Sequence, residues 1–421
     1  MSPVRPSVQV IGRRLEASDH DLRDFLTRIA QPHEWFEAGT PEADRLLAEL
    51  GVSDPPLPLL VDSGDLYPAA NRHVLAEAWS STSAPTKSEY DFAIVGGGPA
   101  GLGAAVYAAS DGLSTIVIDR DVPGGQASHT SMIENFFGFP DGIGGAELAR
   151  LAGRQAERFG AELVFLRGVE GSRGGGGEPT VLLLEGGYEV TAPVVLAAPG
   201  MEWRRLDVPG VEELLGRGVY YGAGRSEATQ CGGDDVIVVG AGNSAGQAVL
   251  NLGNAGARVK MVVRGDRLGK TMSAYLVARI ETHPLIDVRL ETQVSTVEAE
   301  DGHLSAVTVT TADDGIEHVP ATALFLCIGG VPRTQWAAEA GIKTDPRGYV
   351  LTGPDLLQDG RRPDDWPLDR DPLALEMSVP GLFAAGDVRH GSIKRVAAAV
   401  GEGSMAVALA FRRLEELGLS A

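Results

Sequence analysis

Two glycine clusters carry the residue types and spacings from which chemistry can be read. The first closes Asp91–Gly101, DFAIVGGGPAG, where Gly96, Gly98 and Gly101 give G-x-G-x-x-G between an apolar run and LGAAVYAAS. Gly96 suits a tight turn out of a strand, Gly98 the approach of backbone to a diphosphate, and Gly101 close packing of helix on strand. The diphosphate then rests on a helix N-terminus, with Pro99 and Ala100 in its first turn. Eighteen residues after Gly101, at the end of STIVID, stands Asp119, a carboxylate placed to take both hydroxyls of an adenosine ribose. The second cluster is Gly240, Gly242 and Ala245, with Asn243 and Ser244 between, and nineteen residues later stands Arg264. An acid there suits a free ribose diol, whereas an arginine suits a ribose bearing a 2′-phosphate. Arg267 and Lys270 lie near enough in sequence to assist it.

These residues need strands and helices to place them. Phe92–Val95 reads as a buried strand and Leu102–Ser110 as the helix after it. An amphipathic helix over Gly145–Phe159 follows, then a meander (AELVFLRGVEG, the flexible run SRGGGGE, TVLLLEG, YEVTA) that closes on PVVLAAPG. From DDVIVVGAGNSAGQAVLNLG the same plan starts again. It runs through VKMVVRG, a helix at Ser273–Glu281 and a second meander, and closes on ALFLCIGG. A plan repeated twice points to duplication and to two dinucleotides.

Before these lies a separate unit. VQVIG reads as a strand, and Asp19–Ile29 has helical spacing with Leu22, Phe25, Leu26 and Ile29 on one face. HEWFEAG, a helix over Pro41–Leu50, LPLLVD, a short strand and a helix through Arg72–Trp79 complete it. The order βαβαββα resembles the thioredoxin or glutaredoxin fold, and Leu57-Pro58-Leu59 falls where that fold carries a proline, usually cis, before its third strand. The turn after the first strand, Gly12–His20, holds no cysteine where an active member of that fold carries C-x-x-C, so this unit is expected to be redox-dead and to serve docking or dimerisation. Ser80–Ser88, small and polar, reads as a linker.

Composition bounds the partners. Of the 421 residues 43% are hydrophobic and 22% charged, and the formal net charge is −21. Nucleic acid and anionic membrane surfaces are thereby disfavoured as partners. MSPVRPSVQV has no basic region leading into an apolar one, no run is long enough to span a bilayer, and two cysteines make no disulfide framework. A cytoplasmic protein without membrane insertion or metal site is expected.

From about residue 88 onward the chain resembles the low-molecular-weight thioredoxin reductases. The resemblance rests on GGGPAG (96–101), GGQ (124–126), IENFFGFP (133–140), the second glycine fingerprint, FLCIGGVP (325–332) and FAAGDVRHGSIKRVA (383–397). It implies an α/β fold with two Rossmann-like domains, the NADPH-binding domain (206–332) inserted in a discontinuous FAD-binding domain (87–205 and 333–421), preceded by the thioredoxin-like domain (1–80) and linker (81–88). It also implies a homodimer. Carried over by position, Gly96, Gly98, Pro99, Ala100 and Gly101 hold the FAD diphosphate. Asp119 and Arg120 lie at its adenosine ribose, and Gly125, Gln126 and Asn135 along the flavin and ribityl chain. Val169 and Ala198 line the same site, as do Gly386 and Asp387 of the G-D-V turn, with Asp387 on a ribityl hydroxyl. Arg395, Val396 and Ala397 meet the pyrimidine edge of the flavin, where a helix N-terminus stabilises its reduced anion. NADPH falls to Gly240, Gly242, Asn243, Ser244, Ala245, Arg264, Arg267 and Gly329.

Three departures stand out. By spacing to Gly240, the family's C-x-x-C falls on Gly224-Arg225-Ser226-Glu227, which has no cysteine. Gly265 replaces an arginine of the family's basic cluster, and the family's R-Q-A reads Arg395-Val396-Ala397. Cys231, in the turn QCGGDD, is read as structural, with a substitute redox thiol as the rival reading. Cys327, within LFLCI, is read as core. His390 is either a surface histidine or a proton donor to the flavin, and Trp79, Trp203 and Trp336 are packing residues. Pro354–Pro372 reads as an exposed insertion.

The expected activity is an FAD-dependent NADPH oxidoreductase without its own redox disulfide, passing electrons to a small-molecule or protein acceptor. Two rivals stand beside it. A ferredoxin–NADP reductase of the same fold would carry a C-terminal extension, whereas here the helix expected at Met405–Leu417 is followed by four residues. A flavin- or NADPH-sensing adaptor would need no turnover.

Overall fold

The computed structural model describes residues 7–79, 84–222, 228, 230–313 and 315–419. The chain divides into two compact units, one of Met1–Trp79, His129–Met132 and Trp203–Gly329, the other of Ser80–Ser128, Ile133–Glu202 and Gly330–Ala421.

In the first unit the N-terminal body is a four-stranded sheet in the order His33–Glu37, Val8–Gly12, Leu59–Asp62, Asp65–Tyr67. The first pair is parallel and the others antiparallel. Local chemistry sets its helices. Thr40 accepts from Ala43 N at 3.3 Å and starts Pro41–Leu50, with proline in the first turn, and Gly51 at φ +67° ends it. Asn71 accepts from His73 N and Val74 N and starts Arg72–Ala78. The first helix, Ala17–Arg28, begins two residues earlier than its apolar spacing suggests and buries Leu22, Phe25 and Leu26. The Leu57–Pro58 peptide is cis.

The nucleotide body of the same unit has five parallel strands in the order Val219–Tyr221, Ala323–Leu326, Asp235–Val239, Arg258–Val262, Ile286–Arg289. A three-stranded antiparallel meander, Thr292–Glu300, His303–Thr311 and Ile316–Pro320, adjoins it in sequence. The second unit repeats the plan. Its five parallel strands run Leu382–Ala384, Val194–Ala197, Phe92–Val95, Thr115–Ile118, Glu162–Val164, and its meander is Val169–Gly175, Glu178–Leu184, Tyr188–Ala192. In both, the glycine-bearing strand is central and the strand that closes the meander pairs beside it. The copies differ at one edge, since Leu382–Ala384 comes from the C-terminal segment of the chain whereas Val219–Tyr221 precedes its own glycine strand.

Two expectations are corrected here. SRGGGGE is not a loose run: Arg173 pairs with Glu189 at 2.7 Å, and Gly174, Gly175 and Gly176 take positive φ to turn the hairpin. Pro354–Pro372 is not simply exposed, because Pro363 and Trp366 are buried. Arg370 ties that segment down through Glu376, which is fully buried, at 2.6 Å, and through Glu416 on the last helix. That helix runs Val396–Glu416, nine residues longer at its start than expected. Small residues let it approach the helix Pro99–Ser110: a Cβ on Gly403 would fall 2.1 Å from the Ala100 carbonyl oxygen.

Candidate functional site

In the second unit the first glycine turn leaves the central strand with Gly96 at φ +115°. A Cβ there would lie 2.1 Å from the Ala198 carbonyl oxygen, and one on Gly101 only 1.8 Å from the Gly96 carbonyl oxygen, so both positions are closed to larger residues. Gly98 differs: a Cβ would meet nothing within 4 Å. Gly98 is the N-cap of Pro99–Ser110 and supplies it no side-chain acceptor. Free backbone donors beside empty space are the cradle that a diphosphate needs. A Cβ on Gly125, at φ +53°, would lie 3.4 Å from Gly98 Cα, and Gly124 N donates to the Gly97 carbonyl at 2.7 Å.

Asp119 is fixed against this turn. Its Oδ2 accepts from Gly97 N at 2.6 Å and its Oδ1 from Asp121 N at 3.0 Å. Each carboxylate oxygen keeps a further lone pair, which is what two ribose hydroxyls require. Burial raises its pKa, opposed by those two backbone bonds. Arg120 is exposed, Val169 half-buried and Asn135 exposed. Gln126 Nε2 donates to the Met201 carbonyl at 2.9 Å, which leaves its oxygen and its second N–H for a ligand.

In the C-terminal segment of the same unit Gly386, at φ +78°, turns the chain into Asp387. Burial raises the Asp387 carboxyl, with Lys394 opposing. Arg395 is the N-cap of Val396–Glu416 and gives it no side-chain cap, so the amides of Val396 and Ala397 open a second uncapped helix. A Cβ on Gly386 would lie 3.1 Å from Ala100 Cβ and 3.8 Å from Ala399 Cβ, so this turn lies beside both helix starts. Glu402 is a residue the sequence reading missed. It accepts from Gly386 N at 2.7 Å and pairs with Arg389 at 2.9 Å, holding the G-D-V turn. A glutamate amid small residues in AVGEGS is the signal that could have found it. His390 Nδ1 lies 3.0 Å from Asp345 Oδ2, which gives this ring a carboxylate partner of its own.

The nucleotide body carries the second turn. Gly240 has φ +146°, and a Cβ there would lie 2.3 Å from the Cys327 carbonyl oxygen. Ala245 is fully buried, while Gly242 opens on space and caps Asn243–Asn254 without a side chain. Asn243 is engaged locally: it donates to Ser273 Oγ at 3.0 Å and accepts from Ser273 N at 2.8 Å. Ser244, Arg264 and Arg267 are exposed, and neither arginine has an ion pair among the described residues. Lys270, by contrast, pairs with Asp266 at 2.6 Å. Gly329, at φ +82°, also opens on space.

Both cysteines are buried free thiols, which removes a disulfide between them. Burial pushes the Cys327 thiol up to about 12. Cys231 sits in the core of the nucleotide body, with Arg14 Nη2 of the N-terminal body 3.9 Å from its sulfur. Gly224-Arg225-Ser226-Glu227 lie outside the described residues. Trp203 meets the His129 ring edge-on, Trp79 donates to Asp62, and Trp336 donates to the Arg333 carbonyl.

Two parallel sheets, each with a glycine turn at the end of its central strand and an uncapped helix behind it, define an α/β protein built for two dinucleotides. The family model described as pyridine nucleotide-disulphide oxidoreductase matches residues 90–403, and the chain belongs to that family. It is 33% identical to the thioredoxin reductase of Bacillus subtilis over 331 residues, 78% of this chain and 96% of that protein. Among solved structures it is similar to the thioredoxin reductase of T. acidophilum, with a TM-score of 0.68 and 25% identity over 77% of this chain and 99% of the other. The Lactococcus lactis thioredoxin reductase gives the same TM-score at 27% identity, over 78% and 99%. Thioredoxin reductases bind FAD and NADPH, and the chain is an oxidoreductase of their type. No described helix is long and apolar enough to cross a membrane.

Proposed function

We propose that this chain is an FAD-dependent NADPH oxidoreductase that has lost the redox disulfide of its relatives and passes electrons to an external acceptor. The observation that carries the reading is the contrast between the two turns: a fixed carboxylate, Asp119, beside one, and exposed arginines, Arg264 and Arg267, after the other. FAD belongs at the first, in segments 87–205 and 333–421, and NADPH at the second, in 206–332. When bound, FAD supplies hydride acceptance and the release of electrons to the acceptor. The chain's part is to hold the FAD diphosphate on the amides after Gly98 and the ribose on Asp119. The uncapped start of Val396–Glu416 would offer its amides to the flavin edge where negative charge gathers.

The missing disulfide is supported by the sequence, whose two cysteines, Cys231 and Cys327, are both buried. Electrons therefore leave to a small molecule or a partner protein. Residues 1–80 are a thioredoxin-like, redox-silent domain in this reading, supported by their strand order and by a first turn without cysteine. The protein is a cytoplasmic homodimer. An exposed arginine on a 2′-phosphate is worth about 1.5–3 kcal/mol, which favours NADPH over NADH by roughly ten- to a hundredfold.

Anaerobic titration of the purified protein with NADPH and with NADH, following the flavin band, tests this. Rapid bleaching by NADPH is the expected result. A flavin that NADPH leaves oxidised would overturn the enzyme reading in favour of a cofactor sensor.

A further inference from the structure

Between the G-D-V turn and the last helix stands a cation that the reading above leaves without a role. Lys394 Nζ donates to the Asp387 carbonyl at 2.6 Å and lies 4.5 Å from the centre of the Tyr349 ring. Lysine is ordinarily a hydrated charge on a flexible stem. Here a hydrogen bond and an aromatic face hold it two residues before Val396, the first residue of the uncapped helix.

The neighbouring charges are largely committed to one another. Arg389 is paired with Glu402, and Arg395 donates to the Lys394 carbonyl at 3.0 Å. Asp387 and Glu402 are the carboxylates that face Lys394, and Arg389 is the cation that opposes it. Although the residue as a whole is exposed, partial burial of its ammonium draws its pKa down, with Asp387 and Glu402 working against that shift. A helix start offers only about half a positive charge, whereas the ammonium adds a whole one, and charges interact more strongly where water is thinned.

We propose that Lys394 is a positioning residue for the flavin: its ammonium, clamped between the Asp387 carbonyl and Tyr349, steadies the G-D-V turn and adds positive charge where the bound flavin becomes anionic. The inference rests on the reading that FAD occupies the second unit. It predicts a flavin that is easier to reduce, and that binds sulfite at N5 more tightly, than the helix start alone would give.

The test compares the holoenzyme with Lys394→Met and Lys394→Arg by flavin content, midpoint potential and sulfite affinity. Lys394→Met should keep its flavin, shift the potential to more negative values and raise the sulfite dissociation constant by roughly tenfold or more. Lys394→Arg should stay near the wild type on both. A yellow Lys394→Met protein with unchanged potential and sulfite affinity overturns the inference and leaves the FAD reading standing. Equal shifts in both variants overturn it as well, since charge would then not be the cause. A wild-type protein that takes up no FAD removes the reading and the inference together.

Discussion

Asp24 Oδ1 and His129 Nδ1 stand 3.3 Å apart in the first unit. The pair joins the helix Ala17–Arg28 to His129–Met132, a tetrapeptide whose sequence neighbours on both sides belong to the second unit. The His129 ring also meets Trp203 edge-on at 6.0 Å, and the Met132 carbonyl accepts from Gln247 at 3.2 Å. These four residues are thus held by side chains of the first unit, to which they belong. The N-terminal body, which lies outside the family match, supplies one of those holds.

The pair has a pH signature. Burial alone would raise the Asp24 carboxyl, but His129, Arg28 and His20 together hold it well below the usual carboxylate range. A carboxyl with a depressed folded pKa contributes stability that is present above its unfolded value, about 3.9, and is lost as pH falls through the folded one. Asp24→Asn should therefore be less stable than wild type by about 1–2 kcal/mol at pH 7, with the gap narrowing in acid. Denaturant unfolding at pH 7 and in a series below pH 4 checks this. A gap that stays constant with pH would remove the electrostatic account.

Arg14 and Asp234 form the companion joint. Arg14, in the turn after the first strand, pairs with Asp234 of the nucleotide body, and Glu16 lies 3.9 Å from Arg217. His20 packs on Tyr220 with ring centroids 4.6 Å apart, and Gly216 lies so close to Ala17 that a Cβ would fall 2.8 Å from its Cα. Arg14→Glu should loosen the N-terminal body, seen as faster amide exchange in Ala17–Arg28 and Val219–Tyr221. Adding Asp234→Arg should restore part of the protection, because the charges are then exchanged rather than opposed. Exchange unchanged by the single substitution would show that packing alone makes the joint.

The two glycines of the first turn should fail in different ways. Gly101→Ala forces a Cβ into the Gly96 carbonyl, so the strand–helix junction must move and the variant should be destabilised by about 3 kcal/mol or more. Gly98→Ala meets no protein atom and sits at ordinary φ, so the chain should fold normally yet lose FAD. Thermal unfolding of the apoproteins and flavin content after reconstitution separate the cases. A Gly98→Ala protein that keeps full flavin would place the diphosphate elsewhere.

The parts of this chain that could be read from sequence are those fixed by local chemistry. Gly96, Gly101 and Gly240 sit where carbonyl oxygens come within a Cβ's reach, so only glycine serves and the spacing is visible. The apolar strands beside them read as near-continuous runs because parallel sheets are buried on both faces. Long-range pairing was not legible. AVGEGS marks Glu402 as unusual but does not say that its partner is Gly386 N, and nothing near Arg370 says that it spans Glu376 and Glu416. Pro354–Pro372 reads as an exposed insertion because its charges hide one buried tryptophan, Trp366. Lys270 stands close enough in sequence to assist Arg264, and its pair with Asp266, four residues back, is visible only in the structure.

That last pairing sharpens a prediction for the second site. Arg264 and Arg267 are exposed and without ion pairs among the described residues, whereas Lys270 is already engaged. Arg264→Ala should raise KM for NADPH by roughly ten- to a hundredfold, the worth of one charge-assisted bond, and leave KM for NADH almost unchanged. Lys270→Ala should change either by less than about threefold, because an exposed i,i+4 pair contributes little. Steady-state kinetics with both nucleotides and one small acceptor provide the comparison. If Arg264→Ala weakened NADH and NADPH alike, the arginine would be serving the turn rather than the 2′-phosphate.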